Sequence, residues 1–327
     1  MAMMSMATNG VAMSGGVGAA LKTSLSDALE EFKRQHSEAI ERSGGLGEHS
    51  RNYLRIEQDT DKLGVLLRDA IRQDKKDAFD FWTEVKEALQ HGFNYFGDRR
   101  EFDARCQKIV ESAERALEIV GGLVERFVDK KDAPDEVRKD YDAWKNVAER
   151  LKTTTEPIPG FGTIPNWSGP ASEEYRAMTD VQVEACRELV PRVDEIAQCL
   201  KFVEGLNQGT LSAGHGYVQL TQGKMSTFPS IPSDRFYVRT ATCAAELTML
   251  AHQLTAVLPI AEGAAAELKG SLEQIESSVS VVSSGWPTGT SQHGQRGVAA
   301  PEIKLDIPDY DAPGGNETAP AQDGTRR

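Results

Sequence analysis

The chain has 327 residues, enough to bury a sizeable core, and carries 37 basic against 50 acidic side chains, a net charge of −13. So acidic a surface repels phosphate backbones and anionic lipid, which argues against nucleic acid or a membrane surface as a partner. No run of eighteen apolar residues occurs. The longest uncharged apolar stretch, Leu247 to Ala261, is fifteen long and includes His252, Gln253 and Pro259, so a packed helix is expected there rather than a membrane span.

Residues 1–23 are rich in Gly, Ala and Met, with no basic segment ahead of an apolar core. They read as a disordered N-terminus without a Sec-type signal peptide. The first helical stripe is Leu25, Leu29, Phe32 and Ile40, entered by a capping-box-like Ser24–Asp27 and broken at Gly44–Gly47. A second follows through Tyr53, Ile56, Leu63, Leu67 and Ile71, and a third through Phe79, Trp82, Val85, Leu89 and Phe93. Phe102, Cys106, Ile109, Leu117, Val120, Leu123 and Phe127 form a fourth. Pro134 then suits a first helical turn, and Val137, Tyr141, Trp144, Ala148 and Leu151 make the fifth.

A sixth helix follows a long loop. Its face is Ala171, Tyr175, Met178, Ala185, Leu189, Val193, Ile196, Leu200 and Val203, with a kink expected at Pro191. Residues 206–233, rich in Gly, Thr and Pro, read as a long connection. The last helix carries Leu247, Leu250, Leu254, Val257, Ala261, Leu268, Leu272, Ile275, Val279 and Val282, steps of three and four that suit the seam of a bundle. Residues 287–327 read as a disordered tail. The fold class is all-α, with long helical hairpins packed as bundles. Two regions are expected, 24–132 and 133–286.

Reacting groups in recognisable spacing are missing. HExxH, GxSxG and GxGxxG do not occur, and "GKMS" at Gly223–Ser226 lacks the upstream glycine and the Ser/Thr of a phosphate-binding loop. No histidine has a glutamate three residues before it, as a di-iron bundle needs. The cysteines Cys106, Cys186, Cys199 and Cys243 stand far apart, and three fall on apolar helix faces, where a thiol acts as a small hydrophobe in a reducing compartment. His252 reads as a packed or solvent-facing residue. His215, in the flexible-looking "SAGHGY", brings no acid or nucleophile with it. Hence no catalytic, cofactor-binding or metal-binding set is expected.

The stretch "NWSGPASEEY" (166–175) asks for another explanation. Ser168 or Gly169 can cap a helix, Pro170 fits its first turn, Glu173 and Glu174 favour its positive end, and Trp167 can plug the corner. A helix with Trp144 and Leu151, then this corner and a long amphipathic helix, resembles the WXG-motif proteins of bacterial type VII (ESX) secretion. In this chain the W-x-G-x-A pattern and its following aromatic are Trp167, Gly169, Ala171 and Tyr175, within a resemblance spanning about residues 135–205. The loop "TTTEPIPGFGTIPN" is much longer than that family's tight turn.

The segment Leu25–Leu67 is similar to the ends of ESX-secreted helical proteins, and Tyr53 with Glu57 matches their Tyr-x-x-x-Asp/Glu export signal. The resemblance implies a non-enzymatic protein acting through protein–protein contact. Its partner would be a small WXG-type helical protein or a second copy. It would be made in the bacterial cytoplasm and exported, or displayed at the cell surface, by a type VII system. The alternatives are a cytoplasmic helical scaffold or chaperone, and an enzyme or ligand carrier in a helical bundle.

Overall fold

The structure, a computed structural model, describes residues 4–46, 52–88, 95–230 and 237–284. Among these residues eight helices follow in order: α1 Met4–Gln35, α2 Ser37–Arg42, α3 Ile56–Ala88, α4 Tyr95–Asp129, α5 Ala133–Thr155, α6 Ile158–Phe161, α7 Pro170–Met225 and α8 Val238–Ser284. Short 3-10 turns at Asn52–Arg55 and Phe228–Ser230 complete it, and no strand occurs among the described residues. The protein is all-α. Its helical backbone begins upstream of Ser24, whose hydroxyl donates to Glu267 Oε1 at 3.0 Å instead of capping a first turn. The expected tail at 287–327 lies outside the described residues, as do Leu89 and Phe93 of the third stripe.

The second and third stripes share one helix, α3. Leu63, Leu67 and Ile71 are buried on it, but Phe79 is 65% exposed; the buried face runs on through Asp74 and Ala78. A larger correction concerns residues 206–233. They were expected as a connection, yet α7 runs unbroken to Met225, passing through Pro191, and spans about 84 Å at 1.5 Å per residue. The glycines there serve close packing rather than turning. A Cβ on Gly209 would fall 2.8 Å from the Phe32 ring, and one on Gly214 2.4 Å from Phe127. At Gly216 it would fall 1.8 Å from the Ala39 carbonyl oxygen, so α2 lies backbone against backbone on α7.

Two cores form along α7 and α8. One joins Leu63, Leu67, Val120 and Phe127 to Leu211, Val218, Leu247, Leu250 and Leu254. The other joins Leu25, Phe32 and Ile40 to Leu200, Val203, Leu206, Val257 and Leu268. Each large aliphatic residue so buried contributes about 1.5–3 kcal/mol. The boundary expected between 132 and 133 falls in the turn joining α4 to α5, and both cores draw residues from both sides of it. The segment Val238–Gly270 of α8 is long and apolar enough to cross a membrane, with a mean hydropathy of 1.2. Here its leucines are packed in protein.

Between Trp144 and Ile196 neither core takes a residue. There α5 and the start of α7 pack mainly on each other, through Ala148, Thr179 and Val183, and make a two-helix arm. Lys152 pairs with Asp194 across it at 3.3 Å.

Candidate functional site

The turn joining α5 to α7 lies in this arm. The long loop expected there holds one helical turn, α6, and then a bend in which Asn166 has φ 62°. Gly169 takes the N-cap position of α7 with φ 107° and ψ −179°, a backbone conformation that favours glycine. Pro170 follows as the first helical residue, where its missing N–H costs nothing. Trp167 donates its backbone N–H to the Ile164 carbonyl at 3.2 Å and accepts the Ser172 hydroxyl at 3.1 Å. The side chain does not plug the corner. Trp167 is 39% exposed and Tyr175 38%, and their rings lean together with centroids 5.5 Å apart. Ala171 and Ile164 are exposed as well.

Tyr53 and Glu57 sit elsewhere. Tyr53 is in the 3-10 turn ahead of α3, 8% exposed and part of a core, while Glu57 is exposed in the first turn of α3. Both line a 330 Å³ recess together with Phe127 and Leu211. The structure thus gives the pair a common wall but holds the tyrosine ring inside.

His215 differs most from its sequence reading. It is neither flexible nor exposed, but wholly buried in α7, and it does have an acid. Its Nε2–H donates to Asp59 Oδ2 of α3 at 2.8 Å. Lys62 donates to the other oxygen of Asp59 at 2.7 Å and Gln219 to Oδ2 at 3.3 Å. Burial by itself pushes the Asp59 carboxyl up, but the combined hydrogen bonds from Lys62, His215 and Gln219 hold it below the ordinary carboxylate value. Burial lowers His215 despite the neighbouring carboxylate, so the ring is neutral at pH 7 with Nε2 protonated and Nδ1 unpartnered.

Outward from Asp59 lies an open cleft of roughly 780 Å³ between the end of α2, the start of α3 and the end of α7. Arg42, Arg55 and Lys62 bring positive charge to it, and Gln58, Gln219 and Gln222 bring amides. Among the described residues no hydroxyl or thiol is hydrogen-bonded to the histidine, so the Asp59–His215 pair is not arranged as a nucleophile and its base. The cysteines are free, and burial first of all pushes the thiols of Cys106 and Cys199 up to about 11 and that of Cys243 up to about 12. His252 is exposed on α8, and no cluster of metal-ligating side chains occurs among the described residues.

A second buried polar node joins α3 to α8. Asp74 accepts the backbone N–H and hydroxyl of Thr240 at 2.7 Å each, capping the start of α8 from another helix. Arg239 bridges Asp74 at 3.1 Å and Asp77 at 2.5 Å.

Sequence reasoning missed Asp59, Gln219, Arg42, Arg55 and Lys62. One available signal was an acid inside an apolar stripe. Asp59 falls three residues after Ile56 and four before Leu63. No family model, no curated protein and no solved structure matches the chain.

Proposed function

We propose that the chain is a non-enzymatic helical protein of the type VII secretion class, a secreted substrate or the partner of one, working through contact with another helical protein. One observation carries the reading. Trp167 and Tyr175, the aromatic positions of the WXG-like pattern, stand together and exposed on an arm that neither core includes. Tryptophan and tyrosine in such a place suit the buried centre of a protein–protein contact. The long pairing of α5 with α7 supports the reading, since a helical hairpin suits such a contact.

Export tests it. The full chain is expressed in actinobacterial cells with an intact type VII apparatus and in a strain lacking its secretion ATPase. Appearance in the medium of the first strain alone is the expected result. Retention of folded chain in both strains overturns export and favours a cytoplasmic scaffold or chaperone using the same arm. The burial of Tyr53 speaks for that second reading, because a receptor reads an exposed ring.

A further inference from the structure

We propose that the cleft where α2, α3 and α7 meet binds a doubly charged phosphate monoester. The inference stands apart from the secretion reading and rests on the wall of the cleft. Among the described residues no apolar or aromatic side chain lines it, so burial of carbon and base stacking do not drive binding there. Charge and hydrogen bonds are what the cleft offers.

The charge count selects the ligand class. Among the described residues that line the cleft, Arg42, Arg55 and Lys62 are the cations and Asp59 is the one carboxylate. Lys62 is already engaged with Asp59, and His215 behind them is neutral, which leaves the two arginines. Neither makes an ion pair with a carboxylate among the described residues. Two uncommitted guanidinium groups facing one polar space are conspicuous on a chain with 50 acidic against 37 basic residues. Together they balance a dianion.

Geometry narrows it further. Each guanidinium presents a planar fork of N–H donors that matches two phosphate oxygens, and the amides of Gln58 and Gln222 add neutral donors. Arg55 stands just ahead of α3, whose positive end favours an anion. The C-terminal carbonyls of α7 compete for Arg42, but such an end carries only about half a charge. Asp59, pinned by His215 and Gln219, positions Lys62 at the wall of the cleft. A volume near 780 Å³ suits a sugar phosphate, and a lipid headgroup offers the same chemistry at a membrane surface.

The test titrates the full chain calorimetrically with glycerol 3-phosphate and with glucose 6-phosphate, using glycerol as the uncharged control. A second arm measures sedimentation with phosphatidylcholine vesicles containing or lacking phosphatidic acid. The same measurements are made on Arg42→Gln/Arg55→Gln and on Arg42→Lys/Arg55→Lys; both arginines are exposed, and circular dichroism checks the fold. Expected is saturable one-to-one binding of a phosphate ester, none of glycerol, a loss of about tenfold or more in the Gln variant, and partial recovery in the Lys variant. Binding to phosphatidic acid alone, with the same dependence on the arginines, also supports the site and assigns it to a headgroup. Two results overturn the proposal: no saturable binding in either arm, or equal binding by the folded Gln variant.

Discussion

His215 of α7 donates through Nε2 to Asp59 of α3 at 2.8 Å, joining residues 156 positions apart, and the histidine is wholly out of solvent. The contact holds α3 against α7 with a charge that is itself satisfied by Lys62 and Gln219. Removing the carboxylate leaves a buried imidazole N–H with no acceptor. Asp59→Ala is therefore expected to cost about 3 kcal/mol. Asp59→Asn, which keeps an acceptor, should cost clearly less. Urea unfolding measures both, and an Asp59→Ala protein as stable as the parent would show that the pair holds nothing.

The buried His215 and the half-buried His36 set a pH dependence. Burial lowers both His36 and His215 from the ordinary value of 6.5. As pH falls through that value the unfolded chain takes up protons that the folded chain refuses. Their contribution is thus fully present above pH 6.5 and is lost progressively below it, toward each folded value. Asp59, also held low, adds a loss in the same direction once pH falls below the ordinary carboxylate value of 3.8. The midpoint of thermal unfolding should drop between about pH 7 and about pH 5, well before carboxylates titrate. A double His36→Gln/His215→Gln variant should flatten the profile over that interval; an unchanged slope would mean that other groups cause it.

Much of the helical frame was legible because apolar residues recur at three and four along it, and Leu63, Leu67, Leu250 and Leu254 are buried where the stripes put them. The end of α7 was not. Gly209, Gly214 and Gly216 read as breakers because a glycine in isolation costs helix stability, whereas here each admits a neighbour that a side chain would exclude. The Asp59–His215 pair was hidden for a related reason. Pairing across 156 residues is a property of the packed helices, and His215 lay in the stretch already read as loop. Its spacing carried the signal: Leu211, His215 and Val218 step by four and three, as do Leu67, Ile71 and Asp74 at the other buried node.

The glycines give opposite predictions on one substitution. Gly216→Ala places a Cβ against the Ala39 backbone, which has no rotamer to move, and should destabilise by about 3 kcal/mol or more. Gly122→Ala sits in α4 with nothing within 4 Å of the new methyl and should stabilise by about 0.5–1 kcal/mol. Chemical denaturation of the two variants side by side checks the close approach of α2 to α7. A neutral Gly216→Ala would mean that the two helices stand further apart.

Asp74 performs two tasks at once. It caps α8 through Thr240 and balances the buried Arg239. Asp74→Ala removes both, taking from a buried cation one of its two carboxylates at this node, and should cost about 3–5 kcal/mol. Asp77→Ala, at a less buried site, should cost less. Because α8 threads both cores, the loss should appear as one cooperative shift of the whole unfolding transition rather than as local fraying. A separate early transition would show that the two cores unfold independently.

At the hairpin corner, stability and recognition should separate. Had Trp167 plugged the corner, its truncation would leave a cavity costing about 3 kcal/mol or more. The ring instead stands 39% exposed and leans on Tyr175, a contact worth about 0.5–1.5 kcal/mol. Trp167→Ala should therefore lower stability by about 1 kcal/mol or less. Gly169→Ala should cost more, about 1–3 kcal/mol, although the space around it is open, because φ 107° with an extended ψ strains any side chain. If the corner recognises a helical partner, the order reverses in a binding measurement. There Trp167→Ala removes the anchor and should cost about 2 kcal/mol or more, a loss of roughly thirtyfold. Surface plasmon resonance with a small WXG-type protein, or sedimentation for a second copy, reads the effect. A Trp167→Ala chain that binds as tightly as the parent would make the exposed pair a feature of the arm's surface and remove its role in recognition.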